Sequence, residues 1–251
     1  MTAPLLETRD LSHSFGALQV ARHISFRLAP GARHALIGPN GAGKTTFLNL
    51  LTGAIRPSAG HIVLDGADVT LLPPEARVKR GLARTFQINQ LFRSFTVVEN
   101  VAIAVTERMG LGARWRRASG RHPEVLDEVE RLLRLLRLEQ EAGRPVAELA
   151  YGRQRLVELA LALALAPRVL LLDEPAAGIP GAEYHVFLDA IASLPREIAI
   201  LIVDHDMDLV FRFAERITVM VEGAIYAEGT PAQIAADARV RAVYLGGARG
   251  G

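Results

Sequence analysis

Residues 38–46 read GPNGAGKTT, and this stretch decides the fold. It fits the pattern GxxxxGK[ST], a glycine-rich loop whose backbone N–H groups surround a phosphate. The apolar run at 35–37 before it predicts a buried strand, and the apolar residues of 47–51 after it recur at helical spacing. Strand, glycine-rich turn and helix are the setting that this motif needs. We therefore predict a phosphate-binding loop, against the alternative of a chance glycine-rich turn before a helix.

The loop predicts several separate contacts to a nucleotide. Its glycines let backbone N–H groups curl around a phosphate, and the helix N-terminus adds a partial positive charge. Lys44 supplies a mobile charge for the outer phosphates, and Thr45 offers a hydroxyl to Mg²⁺. Only two of the 29 basic residues are lysines, Lys44 and Lys79, so lysine stands out here against an arginine-rich background. The predicted nucleotide-binding residues are Gly38, Pro39, Asn40, Gly41, Ala42, Gly43, Lys44, Thr45 and Thr46.

Bulk composition narrows the class of protein. A chain of 251 residues can bury a large core, and without cysteine it has neither disulfides nor a cysteine metal site. A net charge of +2 does not call for nucleic acid, which we do not expect as a partner. The apolar run 156–172 is interrupted by Glu158, Pro167 and Arg168, so it predicts a helix, a break and a buried strand rather than a membrane span. The N-terminus lacks the form of a signal peptide, and we expect a cytoplasmic protein.

Strand and helix patterns alternate at both ends of the chain, which favours an α/β core. Two strands are expected within residues 5–28, around a turn at Phe15–Gly16. The other expected strands are 60–64, 82–86, 168–172, 198–203 and 216–221, and helices are expected after Pro73–Pro74, after Gly181 and from Met207.

The middle region, 95–152, has a mostly helical pattern instead. Thr96 and Glu99 fit a capping box before an apolar helix that reaches about Val105. Residues 109–122 are rich in glycine and arginine and predict a loop. The next helix, 123–138, is expected to bury the apolar positions that step at three and four, namely Leu126, Val129, Leu132, Leu133 and Leu136.

A second group of polar residues follows the apolar strand 169–172 directly. An all-apolar run of this kind is typical of a doubly buried parallel strand, and functional groups gather at the C-terminal ends of such strands. Asp173 is therefore placed to hold Mg²⁺ through water, and Glu174 to take a proton from an attacking water. The alternative is an acidic pair that caps a helix.

In their order and spacing, these motifs resemble those of the ATP-binding cassette (ABC) transporter ATPases over essentially the whole chain. The resemblance implies ATP and Mg²⁺ as cofactors and an ATPase activity. It implies an α/β fold with a P-loop NTPase RecA-like core, an N-terminal antiparallel β subdomain and an inserted α-helical signature subdomain. We expect one nucleotide-binding domain over 1–251, with its catalytic core at 1–94 and 153–251 and its helical subdomain at 95–152.

The resemblance also assigns roles to further residues. Phe15 matches the aromatic that stacks on adenine, Gln87 the glutamine that senses the γ-phosphate, Mg²⁺ and the membrane partner, and His205 the switch histidine at the γ-phosphate. The alternatives are a core aromatic for Phe15, a solvated loop residue for Gln87 and a helix N-terminal residue for His205. The signature position, which faces ATP on a partner subunit, is occupied by Leu149, Ala150, Tyr151, Gly152 and Arg153.

The stretches GLARTFQINQLFRSFTVVENV (81–101), LAYG (149–152) and EPAAG (174–178) are similar to the longer ATPase subunit of branched-chain amino-acid importers. This implies a peripheral subunit at the cytoplasmic face of a bacterial inner membrane. Its partners would be a second ATPase subunit, identical or paralogous, two transmembrane permeases and, indirectly, an external solute-binding protein. The alternatives are a urea or short-amide importer, an exporter, a soluble ABC ATPase linked to nucleic acid, and a regulatory subunit that binds ATP without hydrolysing it.

Two residues depart from the family pattern. Ala150 replaces the signature serine, so we expect backbone N–H groups near Gly152 to bind the anion instead. Pro180 stands where the related importers carry Asn or Asp, and without a side-chain donor it is expected to weaken the coupling between ATP sites. The basic cluster 114–117, RWRR, fits either a solvated loop or a surface near anionic lipid or the permease.

Overall fold

A computed structural model describes residues 3–85, 91–112 and 122–246, with side chains through residue 243. The chain forms two compact units. The first takes in the described residues of Met1–Arg84, Arg168–Glu174 and Arg196–Gly251, and the second those of Thr85–Pro167 and Pro175–Pro195. The single domain expected over 1–251, with its helical part at 95–152, stays a prediction.

The secondary-structure elements begin and end as follows. In chain order they are β1 (Leu6–Phe15), β2 (Leu18–Ile24), β3 (Arg27–Leu28), β4 (Arg33–Ile37), α1 (Lys44–Thr52), β5 (Ala59–Leu64), β6 (Ala67–Asp68), α2 (Pro74–Val78), β7 (Leu82–Arg84), α3 (Val97–Arg108), α4 (Pro123–Leu135), α5 (Tyr151–Ala164), β8 (Val169–Asp173), α6 (Gly181–Ala192), β9 (Ala199–Val203), α7 (Met207–Phe213), β10 (Arg216–Val221), β11 (Ala224–Gly229), α8 (Pro231–Ala236) and α9 (Ala238–Gly246).

The first unit contains two sheets. The N-terminal sheet is antiparallel, in the order β2-β1-β5-β6, and β3 also pairs with β1. The second sheet has the order β11-β10-β4-β9-β8-β7 and is parallel except for the β10–β11 pair. Every residue of β4, β8 and β9 is buried, as expected for apolar runs covered on both faces.

Packing fixes the helix that follows the phosphate loop. Its apolar residues Phe47, Leu48, Leu50 and Leu51 are all buried in the core of the first unit, where each contributes about 1.5–3 kcal/mol. The Phe47 ring meets the Phe26 ring edge-on, with centroids 5.7 Å apart. Together these contacts hold the helix in place beneath the loop.

A buried arginine closes the other end of α1. The Arg77 guanidinium donates to the carbonyl oxygens of Leu50 and Leu51 at 2.7 and 2.6 Å, and to Leu72 and Thr70. Burial lowers the pKa of Arg77 from its usual 12.5 to about 10, which still leaves it charged at neutral pH. A cation at a helix C-terminus is favourable, so Arg77 stabilises the end of α1 that lies opposite the loop.

The second unit is built from α3, α4, α5 and α6. The capping box predicted at its start is confirmed, because Thr96 accepts the Glu99 N–H and the Glu99 carboxylate accepts the Thr96 N–H. The predicted apolar stripe of α4 is wrong at one position: Leu126 is 52 % exposed, and Val125 is buried in its place. Both residues keep helical spacing to Val129, so only packing decides which of them faces inward.

The strands expected at 60–64, 168–172, 198–203 and 216–221 are confirmed within one residue at each end. The strand expected at 82–86 ends at Arg84, and Phe86 lies outside the described residues. The expected turn at Phe15–Gly16 joins β1 to β2, with Gly16 at φ 58°. Within the described ranges, no helix combines the length and apolar character needed to cross a bilayer.

Candidate functional site

Three neighbouring parallel strands end at one edge of the larger sheet. The phosphate loop follows β4, the pair Asp173 and Glu174 stands at the end of β8, and His205 follows β9 closely, which itself lies between β4 and β8. Ligand sites in open α/β sheets lie outside the carboxyl ends of the strands. The fold therefore gathers at one edge residues that are far apart in sequence.

Two glycines bring the loop into direct contact with neighbouring backbone. A Cβ on Gly38 would lie 2.2 Å from the Met220 carbonyl oxygen, and one on Gly43 would lie 2.6 Å from the Val20 carbonyl oxygen. Both glycines also have positive φ angles, 155° and 93°. Only glycine satisfies both demands, so the two motif positions are explained by sterics in this chain.

The N-terminus of α1 has no side-chain cap and no acidic residue in its first turn. Its N-cap residue is Gly43, in the left-handed conformation. The first N–H groups of a helix lack intrahelical partners, and together with the helix dipole they attract an anion. The structure thus leaves the start of α1 suited to a phosphate.

The Lys44 ammonium lies over the loop. Its Nζ donates to the carbonyl oxygens of Gly38 and Pro39 at 2.6 and 3.0 Å. Burial lowers the pKa of Lys44 below its usual 10.5, while the charges of Glu174 and Asp173 act in the opposite direction. The ammonium is therefore within electrostatic reach of both carboxylates.

Asp173 and Glu174 differ in their surroundings. The Asp173 side chain is 3 % exposed and forms an ion pair with Arg84, at 2.6 Å between Oδ2 and Nη2. Glu174 has φ 43°, and its N–H donates to the Val203 carbonyl at 2.7 Å. A non-glycine residue in this left-handed region of φ is strained, and such strain persists where the surrounding structure fixes the position of the residue. The Glu174 carboxylate lies 3.7 Å from His205 Nδ1, measured to Oε1.

His205 lies on a turn whose backbone N–H groups are bound by an aspartate side chain. The buried Asp204 accepts the N–H groups of His205 and Asp206 through its Oδ1, at 2.8 and 2.9 Å. Burial raises the pKa of Asp204, and the two N–H groups oppose that effect. The His205 side chain itself is 70 % exposed. The turn therefore presents an exposed imidazole beside Glu174.

Two further predicted residues, Phe15 and Thr45, are exposed. Phe15 is 53 % exposed, which rules out the alternative of a core aromatic, and its ring meets the His13 ring edge-on at 4.7 Å. Thr45 lies exposed in the first turn of α1. Gln87 and the basic cluster 114–117 lie outside the described residues.

The signature position forms the start of α5 in the second unit. Ala150 is the N-cap residue and supplies no side-chain hydrogen bond. The Gly152 N–H, expected to bind an anion, donates instead to the Glu183 carboxylate at 2.8 Å. A Cβ on Gly152 would lie 2.7 Å from the Glu183 carboxylate oxygen, so the Glu183 side chain would have to move to admit any other residue there. The first turn of α5 is thus already occupied by a carboxylate of the chain.

The other signature residues contact further residues of the second unit. The Tyr151 hydroxyl donates to the Ala177 carbonyl at 3.4 Å, and Leu149 is buried. The Arg153 guanidinium donates to the Arg137 carbonyl at 2.9 Å and lies 3.4 Å from the Glu141 carboxylate. Arg153 therefore links α5 to the segment after α4.

The oxygen groups of the first unit are compatible with Mg²⁺ but not with a cage built of protein alone. Among the described residues, no group of three His, Cys, Asp or Glu side chains is arranged to hold a metal ion. Mg²⁺ keeps several waters and is bound by one or two carboxylates together with phosphates. The Asp173 carboxylate and the Thr45 hydroxyl, beside a phosphate loop, fit that chemistry.

Three residues that contact predicted residues escaped the sequence patterns: Arg84, Asp204 and Glu183. Each contacts a predicted residue, namely Asp173, His205 and Gly152 respectively. Arg84 lies inside the stretch 81–101 and Asp204 directly follows the strand expected at 198–203, but no spacing rule assigns a contact to either residue. Glu183 lies on α6, and only the packing of that helix against α5 brings it to Gly152.

Comparison with known families gives two matches. The profile of the ABC transporter family matches residues 21–177. A second profile, described as branched-chain amino acid ATP-binding cassette transporter, matches residues 227–249.

Curated proteins and solved structures agree with these matches. The chain is 38 % identical to the high-affinity branched-chain amino acid transport ATP-binding protein LivG of Escherichia coli, over 98 % of this chain and 99 % of that protein. It is 36 % identical to BraF of Pseudomonas aeruginosa, which bears the same description, with the same coverage. The ADP conformation of MJ1267, an ATP-binding cassette of an ABC transporter, has a TM-score of 0.82 at 27 % identity and covers 98 % of this chain and 100 % of its own. The expected fold class is confirmed by this likeness.

Proposed function

This chain belongs to the ABC transporter family, whose ATP-binding cassettes are ATPases, and we propose that it powers an importer by Mg²⁺-dependent hydrolysis of ATP. The observation that carries the proposal is the grouping at one sheet edge of the phosphate loop, Asp173, Glu174 and His205. The electrostatic effect of both carboxylates on Lys44 supports the same grouping.

ATP binding falls to the loop and to one aromatic. The uncapped start of α1 and the loop N–H groups, from Gly38 to Thr46, bind the phosphates, and Lys44 turns its ammonium toward the outer ones. Phe15 offers an exposed ring face for adenine, at the end of the strand pair whose Val20 carbonyl touches Gly43.

Hydrolysis falls to the carboxylates at the end of β8. Glu174 accepts a proton from the water that attacks the γ-phosphate, so that ATP and water give ADP and phosphate. Thr45, Asp173 and Gln87 are the proposed holders of Mg²⁺. The bound ion would supply positive charge to the outer phosphates. His205, 3.7 Å from Glu174, donates to the γ-phosphate from its exposed turn.

The signature residues serve a second ATPase subunit in this proposal. Leu149 to Arg153 face the nucleotide of that partner, and the partner's matching residues face the nucleotide bound here. The Glu183 carboxylate at the Gly152 N–H must then yield or share that position when the partner's γ-phosphate arrives. Pro180 is the N-cap residue of α6, the helix that carries Glu183, and supplies no side-chain hydrogen bond.

An exposed aromatic supports contact with a membrane partner. Phe92 is 52 % exposed and stacks on Phe95, with ring centroids 5.4 Å apart. The buried Asn100 pins this turn by accepting the Phe92 N–H at 2.9 Å and donating to the Phe92 carbonyl at 3.0 Å. A rigidly held, exposed aromatic is a common anchor in protein interfaces, and we assign it to the permease subunits.

The names of the relatives support the solute class. LivG and BraF are both described as branched-chain amino acid transport proteins, and the profile at 227–249 carries the same description. We propose branched-chain or other small amino acids as the solute, and a peripheral position on the cytoplasmic face of a bacterial inner membrane. These names do not favour an exporter, a urea importer or a nucleic-acid-linked ATPase.

The test is Glu174→Gln, with the exposed Glu197→Gln as a matched control. We expect Glu174→Gln to retain ATP binding and to lose ATPase activity at least about 100-fold, because it removes the general base. ATP binding and phosphate release are measured on the chain assembled with its permease subunits. Full turnover by Glu174→Gln would contradict the assignment of Glu174, and a wild-type chain that binds ATP without hydrolysing it would favour a regulatory subunit.

A further inference from the structure

A guanidinium joins the phosphate-loop helix to the end of β8. Arg84, the last residue of β7, donates through Nη2 to Asp173 Oδ2 at 2.6 Å and through Nη1 to Asn49 Oδ1 at 2.7 Å. The Arg84 side chain is 13 % exposed and the Asp173 side chain 3 %. The bridge is therefore a buried feature of the first unit rather than a surface ion pair.

The strand register explains why Arg84 can reach both partners. β7 pairs in parallel with β8, and Arg84 stands opposite Leu171, so both strands end at the same sheet edge. Asn49 lies one helical turn after Thr45, on the same face of α1. The bridge consequently spans from the helix face that carries Thr45 to the carboxylate of Asp173.

The chemistry of the bridge calls for arginine. A planar fork can donate in two directions at once, which a lysine ammonium on a flexible stem does with less geometric control. Arg84 Nε is buried and has no hydrogen-bond partner among the described residues, so the two terminal nitrogens carry the contacts. A buried carboxylate without a counter-charge is costly, and Arg84 supplies that charge to Asp173.

We propose that Arg84 is a positioning residue for Mg²⁺: it orients the Asp173 carboxylate relative to the α1 face that carries Thr45. Asn49 holds the other arm of the guanidinium. The inference rests on the proposed function, since Thr45 and Asp173 are the proposed metal-binding groups. Hydrogen bonds from outer residues orient metal ligands, and their loss typically weakens metal binding or activity about 10–100-fold.

A competing effect has the opposite sign. The Arg84 charge also repels a divalent cation near Asp173. If that repulsion exceeded the gain from orientation, removal of Arg84 would tighten Mg²⁺ binding. The sign of the change in Mg²⁺ dependence therefore decides between the two effects.

The experiment measures ATP binding to the purified full-length chain by calorimetry, in EDTA and over a series of Mg²⁺ concentrations. The variants are Arg84→Met, Arg84→Lys, Asp173→Asn and the double variant Arg84→Met/Asp173→Asn. The exposed neighbour Arg80→Met serves as the matched control. Circular dichroism checks that each variant is folded.

We expect Arg84→Met to raise the Mg²⁺ concentration for half-maximal enhancement of ATP binding at least about tenfold, with little change in EDTA. Arg84→Lys should give a smaller rise, and it carries the test if Arg84→Met does not fold. In the Asp173→Asn background the Arg84→Met change should have little further effect, because Arg84 acts through Asp173.

Two outcomes would overturn the inference: an unchanged or lower Mg²⁺ midpoint in the Arg84 variants, or an undiminished effect in the Asp173→Asn background. A wild-type chain that fails to bind ATP would instead refute the proposed function. Wild-type binding with a normal Mg²⁺ response, beside unaltered Arg84 variants, would refute only the role of Arg84.

Discussion

The helices α1 and α5 both start without a side-chain cap from their own N-cap residue, yet their first turns have different partners. The N-cap of α1 is Gly43, and no acidic residue lies in its first turn. The N-cap of α5 is Ala150, but Glu183 of α6 accepts the Gly152 N–H at 2.8 Å. The first turn of α1 has neither a side-chain cap nor an acidic residue, whereas the first turn of α5 has an acceptor supplied by α6.

This contrast separates a helix start that is suited to an anionic ligand from one that stabilises the folded chain. A helix start without a cap costs stability in the free protein, and it is retained where an anion repays that cost. A start that is capped by a neighbouring carboxylate contributes stability at once, but any anion that arrives must compete with that carboxylate. We therefore expect substitutions at the start of α1 to change ATP affinity, and substitutions at the start of α5 to change mainly the stability of the second unit.

The largest effect is expected at the α1 start. Lys44→Met keeps the apolar stem and removes the ammonium that we assign to the outer phosphates, so ATP should bind at least about 100-fold more weakly, or about 2.7 kcal/mol. Lys79→Met is the matched control, because Lys79 is the other lysine of the chain and is exposed at the end of α2. Calorimetric titration with ATP measures both. If Lys44→Met bound ATP as tightly as Lys79→Met, the start of α1 would not be the helix start that binds the nucleotide.

Lowering the pH is expected to reduce the stability of the folded chain through a histidine on β4, the strand that precedes the phosphate loop. Burial lowers the pKa of His34 on β4 from its usual 6.5 to about 4, and its Nε2 lies 2.8 Å from the Thr218 hydroxyl. Below pH 6.5 the His34 imidazole therefore binds a proton in the unfolded chain, whereas in the folded chain it stays neutral until the pH approaches about 4. Stability should fall as pH drops through this window, by about 2 kcal/mol between pH 7.5 and pH 5.

Denaturant unfolding at several pH values measures this dependence. His34→Gln keeps a polar side chain beside Thr218 but cannot titrate, so its pH profile should lose that part of the slope. In the described part of the second unit, His122 and His185 are not buried. An equal pH slope in His34→Gln and wild type would contradict the assignment to His34.

The smallest effect is expected at the α5 start. Glu183→Ala leaves the Gly152 N–H without its acceptor and should lower the free energy of unfolding by about 1 kcal/mol. Glu183→Gln keeps an oxygen acceptor and removes the charge, so it should cost less. Urea titration followed by circular dichroism compares the two. If Glu183→Ala unfolds like the wild type, α5 is no better capped than α1, and the contrast disappears.

The fold followed from local patterns where those patterns were strong. The phosphate loop between β4 and α1 and the apolar strand β8 stand where periodicity and the motif put them. The capping box of Thr96 and Glu99 is equally local, since its two residues lie within one helical turn. Patterns of this kind survive folding because their partners are neighbours in sequence.

Other features depended on packing and were missed or wrong. Helical spacing alone did not separate Leu126 from Val125, and the chain buries Val125. The Arg84–Asp173 pair joins residues that are distant in sequence, and neither position has a pattern that names the other. The carboxylate that accepts the Gly152 N–H comes from α6, which no local pattern at 149–153 indicates, and the expectation that an anion binds there stays a prediction.

The sequence by itself determined the family, the nucleotide loop and the residue types of the chemistry, because each of these depends on short motifs with fixed spacing. Tertiary structure alone decided which polar groups face one another: Arg84 against Asp173, Glu174 beside His205 and the Glu183 carboxylate on the Gly152 N–H. Burial makes the Arg84–Asp173 pair matter most, since a charge removed from water is stable only where the fold brings it a partner.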